Sequence, residues 1–167
     1  GRVRSGNEDA VLAADGLWLV SDGMGGHAAG EVASRIVVDT FAPLARRRSL
    51  RASDLAAAVH TANEAIRAYG AEHRPARGLG ATAAGVASVT VAGTPRWAIW
   101  NVGDSRVYRL VDGRLGRATI DHSETEELIL EGVISQEEAR THHARHIITR
   151  SLGQSGPLQP DLWLLPP

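Results

Sequence analysis

Glu8 and Asp9 precede one short strand-like run, and Asp22 ends the next, the apolar Leu17-Trp18-Leu19-Val20-Ser21. If these two strands pair as antiparallel neighbours, the start of the first meets the end of the second, and Asp9 and Asp22 converge. Two carboxylates that close repel unless a cation sits between them. Hard oxygen ligands of this kind suit Mg²⁺ or Mn²⁺ rather than zinc. Gly23 follows Asp22, and with no side chain it can turn its carbonyl toward a metal. Arg4 lies on the same segment as Glu8 and Asp9, where its planar fork can grip phosphate oxygens. His27 sits in the glycine-rich run Gly23-Met24-Gly25-Gly26-His27, and its titration range would let it protonate a leaving alkoxide. Taken singly, an Asp-Gly pair is a turn, a loop histidine is solvated and Glu8-Asp9 is surface charge. The joint pattern departs from that.

Several elements must position these groups. After the glycine-rich loop, residues 31–44 have helical character, with Val32, Ile36, Val37 and Phe41 near one face and Pro43 at the end. A second helix carries Leu55, Val59, Ala62, Ile66 and Tyr69 at helical spacing, with Ser53 or Asp54 as its cap and Gly70 closing it. Residues 46–51 between them form a basic, solvated connection. Strands are expected at 84–91, 96–102 and 106–111, and Asp112-Gly113 signals a hairpin into 114–119. Residues 124–131 turn helical, Gly132 stops them, and another helix begins near Ser135. Leu162-Trp163-Leu164-Leu165 reads as a strand entering a core. Strands and helices come in blocks, which favours an antiparallel α+β layered fold.

Composition narrows the function classes. With 167 residues and 43% hydrophobic content, the chain suits one domain, or most of a larger one. Lys plus Arg total 18 against 19 Asp plus Glu, so no basic field argues for nucleic acid. There is no cysteine, which excludes disulfides, thiolate nucleophiles and cysteine metal sites. No apolar stretch is long enough to span a membrane and no signal peptide is visible, so the expectation is a cytoplasmic protein. The chain starts at Gly1 rather than Met, which leaves its true N-terminus open.

The motifs together resemble the PP2C family of metal-dependent protein phosphatases in its bacterial form. Val3-Arg4-Ser5-Gly6-Asn7-Glu8-Asp9 is similar to the family's opening. Ser21-Asp22-Gly23-Met24-Gly25-Gly26-His27-Ala28-Ala29-Gly30-Glu31 is similar to its second motif almost residue for residue. Leu79-Gly80-Ala81-Thr82-Ala83 resembles its glycine-threonine strand, and Asn101-Val102-Gly103-Asp104-Ser105-Arg106-Val107-Tyr108 its central hairpin. Asp121-His122-Ser123 and Ile148-Thr149-Arg150-Ser151-Leu152-Gly153 resemble the next two motifs, in family order.

The resemblance implies a four-layer α-β-β-α sandwich of antiparallel sheets flanked by helices. It implies one domain over 1–167, with 124–147 as a mobile flap. Asp22 would bridge two Mn²⁺ or Mg²⁺ ions and the Gly23 carbonyl would bind one, with Glu8 and Asp9 supporting the cluster directly or through water. Arg4 would bind substrate phosphate, His27 would act as general acid, and Asp104 would help hold a third, looser metal. Asp121 and His122 would be structural, and His142, His143 and His146 would lie on the surface. The implied reaction is hydrolysis of phosphoserine or phosphothreonine in proteins by a metal-activated water, without a covalent phosphoenzyme. The implied partners are phosphoproteins modified by a cognate kinase, met by a monomer.

The chain departs from the family in lacking two downstream metal aspartates. Asp161 is expected to precede the strand that would lead to them, so the domain is expected to be incomplete at its C-terminus and this segment inactive. The competing readings are a non-catalytic relative that binds phosphoproteins, and a phosphatase of the sporulation or stress-signalling branch.

Overall fold

The computed structural model describes residues 6–25, 28–73 and 78–166. Strand β1 (Asp9–Ala14) turns at Asp15-Gly16 into β2 (Leu17–Met24), with the two antiparallel. Along β2, Leu17, Leu19, Ser21 and Gly23 are buried while Trp18, Val20 and Asp22 are exposed. That period of two places the apolar set on one face and the carboxylate on the other. The short β3 (Gly80–Ala81) pairs with the far end of β2. Then β4 (Ala83–Val91) and β5 (Thr94–Val102) form a hairpin, and β8 (Asp161–Leu165) pairs with β5. The sheet order is β1-β2-β4-β5-β8, with every pairing antiparallel. A separate hairpin joins β6 (Tyr108–Val111) to β7 (Arg114–Arg117). Asp112 at φ 48° and Gly113 at φ 75° supply the left-handed pair its two-residue turn needs.

One face of the main sheet is covered by α1 (Ala28–Phe41) and α2 (Ala52–Glu72). Leu17, Leu19, Val37, Phe41, Leu55, Val59, Ile66 and Trp100 fill the layer between. Phe41 stacks on Trp100 with ring centroids 5.4 Å apart. A Cβ on Gly85 would stand 2.3 Å from the Trp100 ring, so the large indole is seated over a position that must be glycine. The opposite face is open among the described residues: Trp18 and Trp97 lie 6.2 Å apart and remain 40% and 36% exposed.

Antiparallel sheets with helices packed on them are the α+β class that the block pattern indicates. Of the four layers, the described residues contain a helical layer and the sheet beneath it. Four local expectations change. Gly70 lies inside α2, which continues to Glu72. The N-cap is Arg51, and neither Ser53 nor Asp54; Asp54 instead reaches back from the first turn to accept the Arg51 N–H at 2.8 Å. Asp161 is the first residue of β8 rather than a residue before the strand. Pro43 falls in a 3₁₀ turn, Ala42–Arg46, that follows α1.

Candidate metal centre

Asp9 and Asp22 are register partners across β1 and β2, and both are exposed. Directly opposed residues of an antiparallel pair put their Cβ atoms about 4.5–5.5 Å apart on the same face. The sequence expectation of convergence therefore holds for this pair. Among the described residues neither Glu8 nor Asp9 is ion-paired with an arginine.

Glu8 sits differently. Its carbonyl accepts the Gly23 N–H at 3.1 Å. Its carboxylate turns toward α1, where Oε2 lies 2.6 Å from the place a Gly30 Cβ would occupy. Glu8 therefore faces the helical layer while Asp9 and Asp22 face away from it. Strand alternation separates the acids that the sequence lists together. Accordingly, among the described residues no three His, Asp or Glu side chains converge to hold a metal.

Gly23 is fixed by space as well as by chemistry. A Cβ there would stand 1.8 Å from the Gly30 carbonyl oxygen and 2.8 Å from the Glu8 carbonyl oxygen. Only bare backbone allows α1 to begin this close to the carboxylate edge. Arg4 and His27, the expected phosphate grip and general acid, lie outside the described residues.

Asp104, the expected ligand of a looser metal, follows Gly103 in the turn between β5 and β6 and is half-buried. It lines a polar cavity of about 490 Å³ with Arg106, Arg117, Asp121, Glu126 and Arg140. A larger cavity, about 780 Å³, lies between the β6–β7 hairpin and β8, with Trp163 and Leu165 in its wall. It holds none of the expected site residues.

The segment expected as a flap leaves and returns at one point. Ser123 bridges Ile148, and the Glu124 N–H donates to the Ile147 carbonyl at 3.0 Å. Between them run α3 (Glu124–Leu130), capped by the Ser123 hydroxyl, and α4 (Gln136–Ala139), capped by Ser135. His143 and His146 are exposed and His142 half-buried, as expected of surface histidines.

The acids around this segment are neutralised internally. Asp121, its side chain 3% exposed, accepts the Arg106 Nε at 2.8 Å and stands 3.5 Å from Arg117. Arg117 also pairs with Glu126. Hydrogen bonds from Arg106 to Asp121, with a further one to the Tyr108 hydroxyl oxygen, raise the Arg106 guanidinium above its ordinary range. His122 Nδ1 accepts the Gly103 N–H at 3.0 Å, so a neutral ring carries its proton on Nε2, 3.2 Å from Asp161. Burial pushes the His122 pKa down. Burial works against ionised Asp161, but hydrogen bonds from His122 and Arg150 hold it below the usual carboxylate range. Arg150 reaches Asp161 at 2.8 Å and the Gln159 carbonyl at 3.1 Å. Sequence reading marked Asp121 and His122 as structural, but it missed the arginines that partner them. Arg106 is 15 residues from Asp121 and Arg150 is 11 from Asp161, and no local spacing announces either pair.

The comparisons with known proteins agree with this architecture. Residues 3–153 match the family described as Protein phosphatase 2C. The chain belongs to the protein phosphatase 2C family. It is 41% identical over 155 residues to the serine/threonine protein phosphatase PstP of Mycobacterium tuberculosis, covering 91% of this chain and 29% of that one. The chain thus spans less than a third of that relative's length. The crystal structure of the M. tuberculosis phosphatase PstP/Ppp superposes with a TM-score of 0.86 at 39% identity, covering 97% of this chain and 68% of the other. A PstP catalytic domain solved with two manganese ions gives a TM-score of 0.82 at 38% identity, covering 97% and 66%.

Proposed function

We propose that this chain carries the carboxylate edge of a metal-dependent serine/threonine protein phosphatase, forming one phosphatase unit with its flap at 124–147. The single observation that carries the proposal is the Asp9–Asp22 pair: two carboxylates in register on an exposed sheet edge. Two carboxylates held this close disfavour each other's charge, and a divalent cation beside them offsets that repulsion. The two manganese ions of the PstP catalytic domain support the same chemistry here.

The donor types suit a hard cation: the Asp22 and Asp9 carboxylates and the Gly23 carbonyl would hold it, Glu8 on the helical side would support the cluster through water, and Asp104 would serve a further ion. When bound, Mn²⁺ or Mg²⁺ supplies a water acidified enough to give hydroxide near neutral pH. Arg4 binds the phosphoryl oxygens and offsets the charge that develops there. The water oxygen bonds to phosphorus as the bond to the serine or threonine oxygen breaks. His27 gives its proton to that leaving alkoxide, which departs as a neutral hydroxyl. Because no third acid converges with Asp9 and Asp22 among the described residues, residues 1–167 alone hold metal weakly in this reading. The same observation favours the second reading, a non-catalytic relative that binds phosphoproteins without hydrolysing them.

The substrates are phosphoserine and phosphothreonine proteins, targets of a cognate kinase, met by a cytoplasmic monomer. A net charge of −1 gives nucleic acid no field to bind. No helix among the described residues is long and apolar enough to cross a membrane.

The test is Mn²⁺-dependent hydrolysis of a phosphothreonine peptide by residues 1–167 and by the product of the complete reading frame. Turnover by the complete product, lost by about 10³-fold or more in Asp22→Asn, is the expected result for a metal-activated water. Turnover unchanged in Asp22→Asn removes the metal mechanism. Folded protein that binds phosphopeptide without turnover establishes the second reading.

A further inference from the structure

We infer that Thr82 is a positioning residue for the carboxylate edge, its buried hydroxyl holding Asp22 on one side and the turn that carries Asp104 on the other. The inference rests on the metal-dependent reading above and adds a residue to it.

The register on either side of Thr82 places it opposite Asp22: Gly23 pairs with Ala81, and Val20 with Ala84. An antiparallel pair of this kind ordinarily exchanges two backbone N–H to carbonyl bonds. Here only one is made, from the Thr82 N–H to the Asp22 carbonyl at 2.9 Å. The Asp22 N–H goes instead to the Thr82 side-chain oxygen, also at 2.9 Å. The Thr82 carbonyl, displaced from the ladder, accepts the Ser21 hydroxyl at 2.7 Å. A side chain has replaced a backbone group at the rung that ties Asp22 to the segment between β3 and β4.

The same hydroxyl lies 2.6 Å from the Ser105 hydroxyl. The Thr82 methyl fills the space beside Gly103, where a Cβ would stand 2.6 Å from it. Thr82 thus touches the residues immediately before and after Asp104. Gly103 is held from its other side as well: its carbonyl accepts from the Asn101 amide at 3.0 Å and the His122 N–H at 2.9 Å. With 0% of its surface exposed, Thr82 has no solvent to satisfy its hydroxyl, so these partners are fixed. A backbone ladder would hold Asp22 but could not reach Asp104. The hydroxyl does both, and the positions of the two acids become linked.

The experiment compares Thr82→Val, which keeps the shape and loses the hydroxyl, with Thr82→Ser, which keeps the hydroxyl. Mn²⁺ affinity is measured by electron paramagnetic resonance of the free ion, on the complete protein, well below each variant's melting temperature. Loss of a support behind a metal ligand weakens metal binding by about 10-fold or more, and Thr82→Val is expected to do so while Thr82→Ser stays within about 3-fold of wild type. Ser105→Ala, which spares the Asp22 bond, is expected to weaken Mn²⁺ binding by a smaller factor, and it serves if Thr82→Val does not fold. Wild-type affinity in Thr82→Val with a lowered melting temperature, or an equal loss in Thr82→Ser, overturns the inference. So does an unchanged Ser105→Ala. If wild type itself binds no Mn²⁺, the metal reading falls first and the inference with it.

Discussion

Two acidic regions of this molecule are built on opposite principles. At the β1–β2 edge, Asp9 and Asp22 are register partners on neighbouring strands, and among the described residues Asp9 has no arginine partner. Around the α3–α4 segment, every buried acid has a basic partner: Asp121 has Arg106 and Arg117, Glu126 has Arg117, and half-buried Asp161 has Arg150. A protein that needs its own acids only as structure neutralises them from within, because a buried charge left alone is costly. Acids set in register and turned outward are, under the proposed function, the ones that would meet a cation from outside.

The largest expected effect on the fold comes from Gly23→Ala. Its Cβ would meet the backbone of both Gly30 and Glu8, and neither is the flexible end of a side chain. Overpacking against backbone is expected to cost about 3 kcal/mol or more, read as a lowered urea midpoint, with Mn²⁺ binding lost alongside. Asp121→Asn is the counterpart beside the α3–α4 segment. It leaves Arg106 and Arg117 without their shared carboxylate. Breaking a fully buried pair costs about 3–5 kcal/mol, but Arg106 is 46% exposed and can rehydrate, so about 2 kcal/mol is expected. Mn²⁺ affinity should be unchanged. If Asp121→Asn weakens metal binding as strongly as it weakens the fold, the division between the two regions is wrong.

Much of the first region was legible in the sequence, and much of the second was not. Asp9 and Asp22 flank a single hairpin, so alternation along short strands was enough to bring them together. Period alone could not say that Glu8 would turn to the helical side, because that depends on where α1 packs. The end of α2 was misplaced because Gly70 is tolerated inside a 21-residue helix held by packing. The Asp112-Gly113 turn was read correctly from a strong local pair, whereas Ala92-Gly93, with Ala92 at φ 49°, gave no such signal. The ion pairs are the least legible part. Arg106 meets Asp121 and Arg150 meets Asp161 only after the chain has folded back on itself.

The smallest expected effect sharpens the comparison through pH. His122 joins the structural region: it accepts the Gly103 N–H, lies against Asp161 and Arg150, and is near Asp121. Its folded pKa lies below the ordinary value, chiefly because burial disfavours the charged ring. In the unfolded chain the ring takes a proton near pH 6.5, while in the folded chain it does so only at lower pH. On acidification the unfolded state therefore binds more protons, and stability falls as pH drops below about 6.5. Asp161 continues the same trend further down, since its folded pKa is also lowered and its contribution disappears as it protonates. His122→Asn can retain an acceptor for the Gly103 N–H and does not titrate in this range. The urea midpoint of wild type is expected to decline between pH 7 and pH 5, and that of His122→Asn to decline less, with the two converging in slope below about pH 4. An equal decline in both would remove His122 from the linkage and leave the acid sensitivity to the carboxylates.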